Sequence, residues 1–132
     1  MGYSFEFDEA NNVLRTTWKG PLTDELFIEE VVKSRKLLAS RPGVRNITDF
    51  SGVAAENLSS ETVKRLAWAA TQGEEKAVVV LVVPTDLAFG LARMFTILTE
   101  ERRPNRHVVR TMEEAHKLLG ITDPKFVPVS LN

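Results

Sequence analysis

The acidic residues best placed for chemistry are Asp49 and Asp86, because each follows a segment with the pattern of a buried strand. Ligands of open α/β sheets bind at the carboxyl ends of the strands. Two carboxylates there would suit an acid–base pair or a hard cation, with Phe50 and Ser51 completing the binding edge. Each also has a structural explanation, because Asp86 could cap a helix and Asp49 could cap a turn through Gly52. No Gly-rich phosphate loop or Gly-x-Ser-x-Gly motif is present, so we expect a protein that is not an enzyme.

Trp68 is an aromatic residue on a helix face that should be polar. The segment from Ser60 to Gln72 has a helical period, and its core stripe consists of Val63, Leu66, Ala67 and Ala70. At 100° per residue Trp68 points nearly opposite to that stripe. A tryptophan on such a face predicts a covering partner. The alternative is that Phe126 in the C-terminal segment folds over it.

The segment from Asp86 to Glu100 predicts a helix that is apolar on almost every side. We expect one side to pack on the sheet, namely Leu87, Leu91, Met94 and Leu98. Phe89 points the other way, near Arg93, and Phe95 lies at the edge of the core stripe. A homodimer contact or a pocket for an apolar ligand would explain this pattern. The alternative is that Phe89 packs against the loop at Arg103 and Pro104.

Metal and cofactor chemistry has little support in the composition. The chain has no cysteine and two histidines, His107 and His116, which lack a neighbouring ligand at metal-binding spacing.

Among the 132 residues are 17 basic and 18 acidic ones, which gives a formal net charge of −1. This balance argues against a nucleic-acid partner and an anionic membrane surface. We expect no cofactor, no metal and no integral membrane association. Because the N-terminal residues lack the pattern of a signal peptide, we expect a cytoplasmic protein.

The elements that must position these residues follow the order β-β-α-β-α-β-α-β-α. Tyr3 to Phe7 and Val13 to Trp18 predict a hairpin, and a helix is expected from Thr23 to about Ser40. Later strands are expected at 44–50, 77–83 and 106–110, and helices at 60–72, 86–100 and 111–119. The apolar run at 77–83 is typical of a central strand of a parallel sheet. The sequence therefore predicts one α/β domain over residues 1–120, with helices flanking a mostly parallel central sheet and a C-terminal tail at 121–132.

Two parts of the chain resemble a known family. Thr48-Asp49-Phe50-Ser51-Gly52-Val53, with Asn57-Leu58-Ser59-Ser60 after it, is similar to the Asp-Leu-Ser-Gly-Val…Asp-Ser-Ser-Gly signature of STAS domains. The segments 83–95 and 108–119 resemble the SpoIIAA-like (STAS/SEC14) group of uncharacterised bacterial proteins. The resemblance covers most of residues 5–119 and implies a STAS-like fold.

Phosphorylation is the regulatory chemistry that the resemblance implies. STAS antagonists are switched at a serine within Asp-Ser-Ser-Gly, where Ser59 and Ser60 stand here. This chain departs from the signature, because Asn57 stands for the acid, the glycine is missing and Glu61 follows. A phosphate at a helix N-terminus would meet free backbone N–H groups. The alternative is that one of the serines is only the N-cap.

Three functions are compatible with these observations. The first is a non-enzymatic binding or regulatory module that acts through protein contacts, including a possible homodimer, as Trp68 and Phe89 suggest. The second is a carrier of a small apolar or lipid-like ligand, which predicts a cavity beside Phe89 or Phe95. The third is an enzyme that uses Asp49 and Asp86, which requires the two carboxylates to share one cleft.

Overall fold

The computed structural model describes residues 2–54, 59–73 and 75–129. These residues form six strands and four helices: β1 (Tyr3–Asp8), β2 (Val13–Gly20), α1 (Asp24–Ala39), β3 (Arg45–Val53), α2 (Ser60–Ala70), β4 (Val79–Val82), α3 (Asp86–Thr99), β5 (Arg106–Val109), α4 (Met112–Leu119) and β6 (Val127–Pro128). The predicted element order is confirmed, and β6 is an addition to it. No helix among the described residues is long and apolar enough to cross a bilayer.

The strands form one mixed sheet with the order β5-β4-β3-β2-β1-β6. Strands β1 and β2 pair as the predicted antiparallel hairpin. Strands β2, β3, β4 and β5 run parallel to one another, so the centre of the sheet is parallel. The predicted α/β class is therefore confirmed, with antiparallel pairing on the β1 side.

Strand β4 is central because it is apolar on both faces. All four of its residues are buried. Leu81 belongs to a cluster that contacts α3, while Val80 and Val82 pack with Ala115 of α4. Burying a Val or Leu side chain contributes roughly 1.5–3 kcal/mol, so this strand anchors both helical layers.

Helices α1, α2 and α3 cover one face of the sheet, and α4 covers the other. Each helix begins with a hydroxyl N-cap that accepts a hydrogen bond from the backbone N–H three residues later: Thr23, Ser59, Thr85 and Thr111. Gly120 ends α4 in the left-handed conformation, with φ of 65°. Thr85 rather than Asp86 is therefore the N-cap of α3, and Asp86 is its first residue.

Some boundaries differ from the predictions. Strand β3 continues to Val53, past the expected turn, because Lys19 and Gly20 of β2 extend the pairing. Helix α2 ends at the C-cap Thr71, one residue before the expected end, and Gly73 does not cap it. Gly73 instead lies against Arg35, since a Cβ atom there would be 2.6 Å from the Nη1 of that arginine.

The segment after α4, which the sequence predicts to be a tail, packs against the domain. Ile121 is buried in the core beneath α4, and Val127 pairs with Phe7 of β1. The buried carboxylate of Asp8 accepts a hydrogen bond of 2.9 Å from the backbone N–H of Lys125. Phe126 lies on the α4 face of the sheet, 4.2 Å below the guanidinium of Arg15, and it leaves Trp68 uncovered.

Candidate functional site

A cavity of about 100 Å³ lies between the sheet and helices α1, α2 and α3. Its apolar walls include the aromatic rings of Phe27, Phe50 and Phe95. A site needs roughly 10–15 Å³ to hold one water molecule, so this space is large enough for several waters or one small organic group. The carrier hypothesis requires a cavity beside Phe89 or Phe95, and one is present beside Phe95.

The short side chains of α3 create this space. Ala88 and Ala92 pack against the cluster of β4, and Leu91, which was expected on this side, also lines the cavity. The prediction that Leu87 and Leu98 pack on the sheet is wrong, because both are exposed. Phe95 closes one side by an edge-to-face contact with Phe27, at 5.9 Å between ring centroids. The helix is rotated from the predicted orientation, since its apolar residues on every side permit more than one packing face.

The floor of the cavity carries polar side chains of β3. Asn46 and Thr48 are buried there and form a closed hydrogen-bond network. The Nδ2 atom of Asn46 donates to the carbonyl of Leu14 at 2.9 Å and to the Oγ1 of Thr16 at 3.1 Å. Thr48 Oγ1 donates to Oδ1 of Asn46 at 2.6 Å. These groups are therefore satisfied and fix the shape of the floor.

One end of the cavity is charged. Arg35 of α1, Arg103 after α3 and Arg106 of β5 line it, together with Glu30 and Glu75. Arg103 is only 5% exposed. Burial, and to a lesser extent the positive charge of Arg35, lowers the pKa of its guanidinium to about 10. A buried arginine costs free energy unless its charge is paired, so this cluster is the most unusual group of charges in the described interior.

Glu30 is a buried acid in the same wall, with 7% of its surface exposed. Its carboxylate accepts hydrogen bonds from the Nε1 of Trp18 at 3.4 Å and from the Oγ of Ser34 at 3.3 Å. Burial raises the pKa of Glu30 to about 7, against the lowering effects of these two hydrogen bonds and of Arg103. The Glu30 carboxyl therefore changes its protonation state near neutral pH.

Asp49 and Asp86 have separate partners in the structure. Asp49 Oδ1 accepts hydrogen bonds from the backbone N–H and the hydroxyl of Ser51, at 2.9 Å and 2.6 Å. Asp86 Oδ1 accepts one of 2.6 Å from Arg110. Phe50, which was predicted to lie at the same edge of the sheet, lines the cavity. Its ring stacks on that of Trp18, with 6.3 Å between the ring centroids. The structure thus supplies no observation in favour of a shared acid–base pair.

The aromatic residues singled out in the sequence have different environments. Trp68 is 70% exposed on the outer face of α2, as its helical position predicts. Phe89 is half-buried, with the guanidinium of Arg110 4.2 Å from its ring centroid, and it is not among the residues that line the cavity. Arg93 is exposed on α3, and Phe95 lines the cavity.

The two serines at the start of α2 also differ. Ser59 is the N-cap, and its Oγ accepts a hydrogen bond of 3.2 Å from the backbone N–H of Thr62. Ser60 is the exposed first residue of the helix. Asn57 and Leu58, the other two residues of the segment compared with the STAS signature, lie outside the described residues. The structural role of Ser59 is thus the one that its position at a helix start predicts.

Sequence reasoning missed Glu30, Arg35, Arg103 and Arg106. One signal was available for Glu30, because it lies three residues after Phe27 and one before Val31, in the stripe expected to be buried. The three arginines carry no such signal, since they come from elements far apart in the chain. Within residues 2–54, 59–73 and 75–129, no group of three His, Asp or Glu side chains could hold a metal ion.

Comparisons with known proteins do not identify a function, so the functional proposal rests on the geometry of the structure. The chain matches no protein-family model and no curated protein sequence.

Proposed function

We propose that this protein is a non-enzymatic binding module that holds a small, largely apolar ligand between its sheet and helices α1 to α3. The cavity beside Phe95 is the observation that carries the proposal. Protein interiors are normally packed without such spaces, and this one is partly open to solvent, so a ligand can enter it and cover its apolar walls.

The dimensions limit the ligand to one short chain or a group near the size of an aromatic ring. Engineered cavities of about 150 Å³ bind benzene, so a space of about 100 Å³ that is partly open to solvent suits a short aliphatic chain whose polar end extends from it. The aromatic walls favour an apolar body, while the polar floor and the charged end favour a molecule with one polar group.

Two tryptophans allow a direct test by NMR. The Trp18 indole N–H is bonded to Glu30 in the cavity wall, and the Trp68 indole lies on the outer surface. Titration of ¹⁵N-labelled protein with hexanol should shift the Trp18 indole signal and leave that of Trp68 in place. The absence of a selective Trp18 shift at saturating hexanol would contradict the proposal.

A blocking variant provides the matched control. Ala92→Leu adds a branched side chain on the cavity side of α3 and should abolish the hexanol response. Arg93→Leu adds the same side chain at an exposed position of that helix and should leave the response unchanged. Equal responses from both variants would place hexanol elsewhere on the protein.

A second candidate is a module that acts through protein contacts, with a second copy of this chain as the partner. The exposed Trp68 favours it, together with the exposed Leu98, which borders the C-terminal turn of α2 beside Thr71 and Gln72. Apolar side chains from two adjacent helices would form one contact face.

Sedimentation velocity tests this second candidate. Wild-type protein should sediment as a dimer, and Trp68→Ser should sediment as a monomer. Leu118→Ser, which removes an exposed apolar residue of α4 on the opposite face, should remain dimeric. A monomeric wild-type protein would reject self-association. The STAS-like family and the cytoplasmic location stay predictions of the sequence.

A further inference from the structure

Three arginines converge at one end of the cavity from separate parts of the chain. Arg35 and Arg103 meet at the end of α2, where both donate to the carbonyl of Ala70, from Nη2 at 3.4 Å and from Nε at 3.0 Å. Arg106 lies nearby on β5, with its guanidinium 5.9 Å from the ring centroid of Phe95. The charged end of the cavity is thus adjacent to its aromatic wall.

The hydrogen bonds of these arginines are incomplete. A guanidinium has five N–H donors. The Nε atoms of Arg35 and Arg106 are buried without a hydrogen-bond partner among the described residues. Capping the C-terminal end of α2 explains why Arg35 and Arg103 point at Ala70. It does not explain the remaining donors or the presence of Arg106.

The nearby acids act on the cluster through their charge but form no close ion pair with it. Glu30 is held by Trp18 and Ser34, and Glu75 Oε1 accepts from the backbone N–H of Ala77 at 3.0 Å. No ion pair between these two acids and the three arginines is found among the described residues. Among the described residues that line this end, three guanidinium groups face two carboxylates, so the excess charge of these groups is positive.

We infer that this arginine end of the cavity, formed by Arg35, Arg103 and Arg106, binds the anionic head group of a single-chain amphiphile. The inference rests on the proposed function, because the apolar part of the same molecule would lie along Phe27 and Phe95. A carboxylate or a phosphate accepts charge-assisted hydrogen bonds from guanidinium groups, and Arg35 and Arg106 each have one Nε donor without a partner among the described residues. The small volume favours one short chain over the two chains of a diacyl lipid.

The test compares three probes that share a six-carbon chain: hexanoate, hexyl phosphate and hexanol. Affinity is measured from the Trp18 indole signal of the full chain. Hexanoate or hexyl phosphate should bind about tenfold more tightly than hexanol, because charge-assisted hydrogen bonds are about twice as strong as neutral ones. The tighter of the two anions identifies the head group as a carboxylate or a phosphate.

The variant Arg106→Gln removes a guanidinium whose Nε forms no hydrogen bond with the described residues. It should weaken binding of the preferred anion about tenfold and leave hexanol binding unchanged. Arg93→Gln removes the same charge from the surface and should change neither. Equal affinities of the anions and hexanol for wild-type protein would overturn the inference while leaving the cavity function intact. Failure of all three probes to bind would reject both proposals.

Discussion

The indole Nε1 of Trp18 donates a hydrogen bond to the Oε1 of Glu30, 3.4 Å away, in the interior of the protein. Trp18 is fully buried, and its ring also stacks on Phe50. The pair joins the centre of the sheet to α1 at the cavity wall. It places an acid with a pKa of about 7 where most proteins have an apolar residue.

The stability of the fold should fall as the pH rises from about 4.5 to about 7. In the unfolded chain the carboxyl of Glu30 ionises near the ordinary glutamate pKa of 4.5, while in the folded protein it keeps its proton to about 7. The contribution of this group is therefore complete below pH 4.5 and is lost as the pH passes through 7. The difference corresponds to about 3 kcal/mol.

The variant Glu30→Gln should remove that pH dependence. Glutamine keeps an oxygen for the Trp18 indole and carries no charge, so the variant should be more stable than wild type at pH 8 by up to about 3 kcal/mol and similar at pH 4. Urea denaturation at both pH values measures the difference. Glu25→Gln, at an exposed position of α1, should retain the wild-type slope. An unchanged slope in Glu30→Gln would contradict the assignment.

Two glycine-to-alanine substitutions should have opposite effects. A Cβ atom at Gly52 would lie 2.7 Å from the backbone carbonyl oxygen of Trp18, beside the irregular register of β2 and β3. Gly52→Ala should therefore cost about 1–3 kcal/mol. At Gly90 in α3 no atom lies within 4 Å of a new Cβ. Gly90→Ala should stabilise the protein by about 0.5–1 kcal/mol, because alanine is the better helix former. Thermal denaturation checks both signs, and destabilisation by Gly90→Ala would indicate closer packing around α3.

Ser59 should contribute to stability, whereas Ser60 should not. Ser59→Ala removes the N-cap of α2 and should cost about 1 kcal/mol. Ser59→Asp supplies an equally good cap and should restore the wild-type free energy of unfolding. Ser60→Ala serves as the control, since its side chain is not the cap. If Ser59→Ala leaves the unfolding midpoint in urea unchanged, the capping role is wrong.

The contact of Asp8 with the C-terminal segment should stabilise the fold. Its carboxylate accepts hydrogen bonds from the backbone N–H of Lys125 and from Asn11. Burial favours the neutral form, but these hydrogen bonds outweigh it and lower the pKa of Asp8. Asp8→Asn turns one acceptor into a donor that faces the Asn11 amide, which should cost about 1–3 kcal/mol. Hydrogen exchange of the Lys125 amide should then accelerate.

The matched control is Asp123→Asn in the same segment. Asp123 is exposed and has a φ of 49°, a conformation that asparagine tolerates as well as aspartate. Its stability and the exchange of the Lys125 amide should stay close to wild type. Equal effects of Asp8→Asn and Asp123→Asn would show that the segment is not held by the Asp8 carboxylate.

Local patterns account for the parts of the fold that were predicted. Thr23 and Thr111 carry a hydroxyl that bonds to an amide three residues away, so a helix start depends on neighbours in sequence. The apolar run around Leu81 requires cover on both faces and therefore indicates a central strand. The C-terminal strand had no comparable signal, because two residues that include Pro128 have no readable period.

The sequence by itself determined the α/β class, the order of elements from β1 to α4, the starts of α1 and α4, and the exposure of Trp68. Each depends on hydrogen bonds or periodicity within a few residues. Only the tertiary structure decided which side of α3 faces the sheet, since that helix is apolar on several sides. It also decided the cavity and its charged end. Arg35 and Arg103 lie 35 and 33 residues from Ala70, the group that both contact. No local pattern encodes a meeting of side chains over such separations, because it arises only when the helices pack on the sheet.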